Sequence, residues 1–314
     1  MSDSLVPRPA GAQPSVSTVI ATRDRPELLR RAVGAILGQK YDGPLEVVVV
    51  FDQSEVTSVD VEVPEGRALR LVPNEGTPGL AGARNAGAAA ASGELLAFCD
   101  DDDEWLPGKL DRQVTTLMAA PAALVATTGI FVCYRGKATP RVSGATRVSL
   151  ADLLRSRVME AHPSTVLVRR DAFFGAIGPV DEHIPGSYAE DYEWLLRAAR
   201  AGEIAVVPAP LVNVYWHQSS WFSDRWKTII SALGYLVDKY PEFNSEPKGL
   251  ARIYGQIAFA HAASGERALA RSWARRCLGL HWKERRAYLA LLVSSGLIGP
   301  QAIQRVAHTL GKGI

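Results

Sequence analysis

Leu95-Leu96-Ala97-Phe98-Cys99-Asp100-Asp101-Asp102-Asp103 is an apolar run of strand length that ends in four consecutive carboxylates. Its unbroken apolar part is the pattern of a strand buried on both faces. Upstream, Gly82 to Ala91 is an alanine-rich helical stretch, preceded by a glycine-punctuated turn and a third strand at Leu69 to Val72. Leu45 to Phe51 is a second continuous apolar strand, and Val16 to Ala21 is a short β-branched one. Between these two, Pro26 opens a pattern in which Leu29, Ala32, Val33, Ile36 and Leu37 recur at helix spacing. Alternating strands and helices predict an α/β fold, a Rossmann-like, mostly parallel mixed sheet flanked by helices.

After about residue 120 the pattern is mixed, with strand-like runs at Leu124 to Tyr134, Thr165 to Val168, Ile204 to Val207 and Leu211 to Trp216. From about Ser223 helix formers dominate, as in Ile253 to Ala263 and Ala268 to Leu278, with breaks at Pro241 and Pro247. The expected organisation is a leader at 1–13, an α/β domain at 14–222 and a C-terminal helical appendage at 223–314. The first fourteen residues contain Pro7, Pro9 and Pro14 and no apolar core, so they read as a disordered leader and not as a signal peptide. The longest apolar stretch, Ala287 to Gly299, holds two serines and falls short of the ~18 residues of a spanning helix.

The 314 residues carry 35 Lys plus Arg against 33 Asp plus Glu, a net +2 that gives no argument for nucleic acid as a partner. The sum hides an asymmetry: from Trp221 onward fourteen basic residues face six acidic ones, so the tail is +8 and residues 1–220 are −6. Trp273, Trp282 and Tyr288 stand among those arginines. Packing over the main domain is the first expectation for the tail, and peripheral contact with an anionic membrane surface the second. Cys99, Cys133 and Cys277 are far apart, with no Cys-x-x-Cys pair. They indicate neither a disulfide framework nor a cysteine-built zinc site, and they suit a reducing cytoplasm.

Ligands of such sheets bind outside the carboxyl ends of the strands. The informative polar residues are therefore Thr22-Arg23-Asp24-Arg25, Asp52-Gln53-Ser54 and Asp100 to Asp103. Adjacent carboxylates raise one another's pKa and cost stability unless a cation neutralises them, and hard oxygen ligands select Mg²⁺ or Mn²⁺. A solvated acidic loop has the same composition, but the strand terminus favours a site for a metal and a diphosphate. Glu190-Asp191 opens an amphipathic helix, where acidic residues either complement the helix dipole or serve as a general base toward a hydroxyl. His217, after the strand ending at Trp216, is a candidate metal ligand, and His162 is a weaker candidate. Gly76 to Gly87 leads into a helix whose N-terminus could take an anion, with Arg84 either forking a phosphate or packing on the helix. The segment matches neither Gly-x-Gly-x-x-Gly nor Gly-x-x-x-x-Gly-Lys, which argues against a nicotinamide dehydrogenase and a P-loop ATPase.

Taken in order, these segments resemble the inverting family-2 glycosyltransferases of the GT-A fold. Val19-Ile-Ala-Thr-Arg-Asp-Arg-Pro26, Val49-Val50-Phe51-Asp52-Gln53-Ser54 and Ala81-Gly-Ala-Arg84-Asn85-Ala-Gly87 are similar to the first three motifs of that family. Phe98 to Pro107 resembles its Asp-x-Asp segment, and Tyr188 to Arg197 its Glu-Asp base motif. The likeness covers roughly residues 14–220. It differs at Arg23, where the family commonly has tyrosine, at Ala21 for proline, at Phe51 for aspartate and at Gln53 for glycine.

The resemblance implies a nucleotide-diphosphate sugar as donor, UDP-linked first, and a divalent metal, Mn²⁺ or Mg²⁺. It implies that Asp52 and Arg23 hold the nucleotide base, with Ala21 and Thr22 at the same strand end and Arg84 near the base or diphosphate. Asp100 and Asp101 would contact the ribose and donor, and Asp102 would coordinate the metal, joined by His217. Asp191 would be the base, with Glu190, Trp216 and His162 shaping the acceptor or donor-sugar site. The acceptor would be a carbohydrate, glycolipid or other hydroxyl compound in polysaccharide or glycoconjugate synthesis. A sugar-nucleotide pyrophosphorylase or a catalytically degenerate nucleotide-binding scaffold is the alternative.

Overall fold

Four parallel strands, β1 (Val16–Thr22), β2 (Leu45–Phe51), β3 (Arg67–Pro73) and β4 (Leu95–Asp100), form the first half of a sheet in the order β3-β2-β1-β4. Helices α1 (Pro26–Leu37) and α2 (Leu80–Ala90) cross between them. In this computed structural model residues 12–158, 160–216 and 225–303 are described. His217, most of the leader and the last residues of the tail lie outside them.

The alternation of side chains separates two cores. Val19, Val48, Val50, Leu96 and Phe98 face one side of the sheet, and Val16, Ile20, Val47, Val49, Leu95 and Ala97 face the other. Each strand is apolar on both faces because helices cover both. The second side is covered by α1 and by α3 (Lys109–Met118), which follows the two-residue strand β5 (Glu104–Trp105).

The later half is mixed, as its pattern predicts. β6 (Val125–Tyr134) carries the antiparallel β7 (Lys137–Arg141), and the short β8 (Arg147–Val148) leads to α4 (Leu150–Arg155). β9 (Leu167–Arg169) runs antiparallel between β4 and β6 and is followed by α5 (Arg170–Phe174) and α6 (Glu190–Ala201). The two strand-like runs at 204–207 and 211–216 are one strand, β10 (Ile204–Tyr215), parallel to β6 with register shifts around Pro208 and Pro210. Proline lacks the N–H of a regular ladder, so the strand is interrupted without ending.

The tail consists of α7 (Trp226–Lys239), α8 (Pro247–Ala263), α9 (Arg267–Leu280) and α10 (Arg285–Ser294). Ile229, Leu233, Leu236, Tyr240, Leu250, Ile253 and Ile257 join the core that contains α6, while α8 to α10 share a smaller core around Ala258, Phe259, Ala274 and Cys277. α7 is also clamped to α6 by charge. Glu193 is fully buried and accepts hydrogen bonds from Arg197 (2.8 Å), Tyr240 (2.6 Å) and Lys239 (2.9 Å).

Candidate active site

Thr22, Asp52 and Asp100 stand side by side because β1 pairs in register with β2 and β4: Thr22 faces Phe51, Ala21 faces Asp100, and the Asp52 amide donates to the Thr22 carbonyl at 2.9 Å. Asp52 is buried and accepts hydrogen bonds from Asn74 (2.7 Å), Gln53 (2.9 Å) and the Gly79 amide (3.1 Å). Burial opposes its charge, yet these donors outweigh it and hold the carboxyl below its usual range. Asp52 thereby anchors Gly79, the residue that precedes α2. The glycines of α2 serve close packing: a Cβ at Gly87 would lie 2.3 Å from Val19 Cγ1, and one at Gly82 1.9 Å from the Thr77 carbonyl. Arg23 is exposed at the rim, 4.0 Å from Asp24, and Ala21 is half-buried against the core.

The aspartate run divides by surroundings. Asp101 is buried, accepts from Thr22 Oγ1 at 2.8 Å and pairs with Arg25 at 3.1 Å; burial nevertheless pushes its pKa up to about 6. Asp102, more open, also pairs with Arg25 at 3.1 Å, and its carbonyl accepts from Arg31 at 2.9 Å. Asp103 is 1% exposed, with one oxygen bonded by Ser164 Oγ at 2.5 Å and the other by the Tyr215 amide at 3.4 Å. Burial and the nearby Asp100 raise its pKa well above the ordinary value. His162 Nδ1 lies 3.4 Å from Asp103 and Nε2 4.0 Å from Asp100, so Asp100, Asp103 and His162 present donor atoms all within 4.8 Å of one another. Burial holds His162 below the usual imidazole pKa, and its Nδ1 accepts a hydrogen bond from the Ser164 amide at 3.3 Å.

Arg84 joins the two acidic centres. Its guanidinium is buried, donating to Asp100 at 2.8 Å and to Glu190. Burial disfavours its charge, but Asp100 and Glu190 more than compensate. Glu190 and Asp191 occupy the first turn of α6, after a segment with left-handed backbone at Gly186, Ser187 and Ala189. Non-glycine residues in that region are uncommon and gather at functional sites; Asp24 and Gln53 adopt it at two other strand ends. Burial raises the Glu190 carboxyl above its usual range against the pull of Arg84. Asp191 goes the other way: burial is outweighed by Arg157, which donates to Oδ2 at 2.6 Å, and by Arg84 and His162. Asp191 is therefore ionised at neutral pH. Arg84, Asp191, Phe98, Pro163, Trp194 and Leu195 line a small cleft.

Of the residues expected here, Thr22, Asp100, Asp101, Asp102, Arg84, Glu190, Asp191 and His162 are linked by these contacts, and Asp52 lies beside them. Trp216 packs against the core on the α1 and α3 side, its amide bonded to the Cys133 carbonyl. Arg25, Arg157 and Ser164 hold the site together, and none of them was assigned a role from sequence. Arg25 lay within a quoted motif, whereas nothing in the sequence distinguishes Arg157 or Ser164.

Comparison with known proteins bears on the family and the fold. The family model "Glycosyl transferase family 2" matches residues 17–174. The succinoglycan biosynthesis protein ExoO of Rhizobium meliloti (strain 1021) is 32% identical over 171 residues, 54% of this chain and 48% of that protein. WfgD of Escherichia coli, a UDP-Glc:alpha-D-GlcNAc-diphosphoundecaprenol beta-1,3-glucosyltransferase, is 30% identical over 103 residues, 33% of this chain and 41% of that protein. The chain thus spans less than half the length of these relatives. S. aureus TarS in complex with UDP-GlcNAc has the same fold, with a TM-score of 0.61 at 15% identity over 95% of this chain and 92% of that one. No helix among the described residues is long and apolar enough to cross a membrane. With the family model matching from the first strand through α5 and the sheet built as in TarS, the chain belongs to glycosyltransferase family 2 and has the GT-A fold.

Proposed function

We propose that the chain moves a sugar from a nucleotide-diphosphate donor to an acceptor hydroxyl, with inversion at the anomeric carbon, in polysaccharide or glycoconjugate synthesis. The observation that carries this is the bridge through Arg84, which sets an ionised Asp191 beside the acidic end of β4. UDP is the favoured nucleotide, supported by the UDP-glucose donor in the name of WfgD and by the UDP-GlcNAc complex of TarS.

The donor would lie along the carboxyl ends of β1, β2 and β4, with Ala21, Thr22, Arg23 and Asp52 toward the base and Asp100 and Asp101 toward the ribose. A hard divalent cation suits the residues present: oxygen donors dominate, and Asp100, Asp103 and His162 converge in a region of accumulated negative charge. Asp102, at the open edge, is a further ligand of the same chemistry, while both oxygens of Asp103 already accept hydrogen bonds. Such an ion, Mg²⁺ or Mn²⁺, would offset the charge of the departing diphosphate.

Asp191 would take the proton of the attacking hydroxyl, which then adds to the anomeric carbon opposite the leaving group. Arg157 covers Oδ2, so the hydroxyl would approach Oδ1 or displace that partly exposed guanidinium. Glu190, fixed by Arg84, would border the sugar. The tail supports a peripheral contact with the cytoplasmic face of an anionic membrane: Trp282 is 67% and Tyr288 50% exposed, next to Lys283 and Arg285.

Calorimetric titration of UDP, GDP, dTDP and CDP, with Mn²⁺, with Mg²⁺ and with chelator, tests the reading on the wild type and Asp102→Ala. Metal-dependent binding of one nucleotide, weakened in the variant, is expected. No binding by any of them would refute the donor assignment.

A further inference from the structure

Three arginines near the Tyr188 hydroxyl are given no role in donor binding: Arg157, which pairs with Asp191 from the segment after α4, Arg252 on α8 and Arg286 in the first turn of α10. α8 approaches its neighbours through two glycines flanking Arg252. A Cβ at Gly249 would lie 1.8 Å from the Leu154 carbonyl, and one at Gly255 3.0 Å from Arg286 Cβ. Gly249, Arg252 and Gly255 are three residues apart and share a helix face. Arg252 is thereby set between the end of α4, which runs on to Arg157, and the start of α10, which carries Arg286.

The row leads to the proposed base. Arg157 donates to Asp191 at 2.6 Å, and Arg252 donates to the hydroxyl of Tyr192, the next residue, at 3.0 Å. Arg286 is paired with Glu284 at 3.0 Å, whereas Arg252 has no carboxylate partner among the described residues. The Nε atoms of Arg252 and Arg286 are buried with no hydrogen-bond acceptor among them. Burial, followed by repulsion from Arg157 and Arg286, makes Arg252 less basic than usual, and the Tyr188 hydroxyl feels all three guanidinium groups. Like charges drawn together from three elements around an arginine without a carboxylate partner among the described residues destabilise the fold unless an anion joins them.

We propose that Arg157, Arg252 and Arg286 form a phosphoryl-binding subsite on the acceptor side of Asp191, so that the acceptor carries a phosphate or diphosphate close to the hydroxyl that is glycosylated. Planar guanidinium forks match phosphoryl oxygens in pairs, and a phosphoryl group offers more acceptor atoms and charge than a carboxylate. The assignment rests on the reading of Asp191 as the base.

The test is calorimetric titration of inorganic phosphate, and separately of acetate, into the full chain saturated with UDP and Mg²⁺, using the wild type, Arg252→Gln and Arg252→Lys. Phosphate is expected to bind with UDP in place, at least about tenfold tighter than acetate. Arg252→Gln is expected to weaken phosphate at least about tenfold at unchanged UDP affinity, and Arg252→Lys to weaken it less. Should Arg252→Gln lose its fold, Arg286→Gln at the outer edge carries the same comparison. Phosphate binding that UDP abolishes, that survives both glutamine variants or that acetate equals overturns the subsite. Failure of UDP to bind the wild type overturns the donor reading instead, and titration of phosphate without UDP then still decides on the subsite.

Discussion

Replacing Arg84 by methionine, of similar length and no charge, tests the bridge on which the site is built. Arg84 is 5% exposed and pairs with Asp100 and Glu190, so Arg84→Met leaves two carboxylates without their buried cation. Removing one member of a buried ion pair costs about 3–5 kcal/mol. At about 2–3 °C per kcal/mol for a chain of this size, the melting temperature near neutral pH is expected to fall by roughly 6–15 °C. The deficit has a predictable pH dependence. Glu190 already has a raised pKa from burial, and losing Arg84 raises it further. A folded-state carboxyl pKa above the unfolded value means that the folded form binds more protons, so its stability falls as pH rises. Both proteins share the unfolded value of 4.5, so the two folded-state values set the window: the Glu190 part of the deficit is fully present above the variant's raised pKa and shrinks as pH falls toward the wild-type value of about 7. Thermal melts followed by circular dichroism at several pH values read this directly. A variant within about 2 °C of wild type near neutral pH, or a deficit that widens on acidification, would refute the reasoning.

Asp191→Asn is expected to retain UDP affinity and lower sugar transfer by about 10²–10⁴-fold, because it removes the proton acceptor and leaves the acidic end of β4 untouched; full turnover would move the base elsewhere. Glu193→Gln should lower stability by about 3 kcal/mol in urea unfolding, since it breaks the buried clamp to Lys239 and Tyr240. Against the effect of burial, Arg197 and Tyr240 keep the folded Glu193 pKa low, so the wild-type contribution is present above the ordinary value of 4.5 and disappears as pH falls through the depressed one. A Glu193→Gln protein as stable as wild type near neutral pH would show that the clamp is energetically idle. For the tail, sedimentation with anionic phospholipid vesicles should show binding at low salt that weakens as added salt shortens the Debye length to about 10 Å at 0.1 M. Trp282→Ala with Tyr288→Ala should reduce that binding, and no binding at low salt would dispose of the membrane contact.

Much of the sheet was legible because its strands are local patterns. Unbroken apolar runs such as Leu45 to Phe51 and Leu95 to Cys99 had to be buried on both faces, and helix spacing after Pro26 and before Ala91 fixed the crossovers. Less local features were not. The run Thr165 to Val168 marked β9, but its antiparallel place between β4 and β6 did not show, and β10 continues through Pro208 and Pro210 where the sequence showed two separate runs. Short edge strands such as β5 and β7 carry too few residues for a period to register.

For the site, the sequence by itself determined which side chains stand at the ends of strands, because a parallel sheet brings those ends to one edge whatever else the chain does. Thr22, Asp52 and Asp100 to Asp103 were placed in this way. Only the tertiary structure decided how they differ: Asp101 is held by Thr22 and Arg25, Asp103 is sealed beneath Ser164, and Asp191 is ionised by Arg157 while the adjacent Glu190 is pushed toward its neutral form. The pairing of Arg84 with Glu190 spans 106 positions of sequence. Charge and proton affinity follow distance and burial in space, and neither is a function of spacing along the chain.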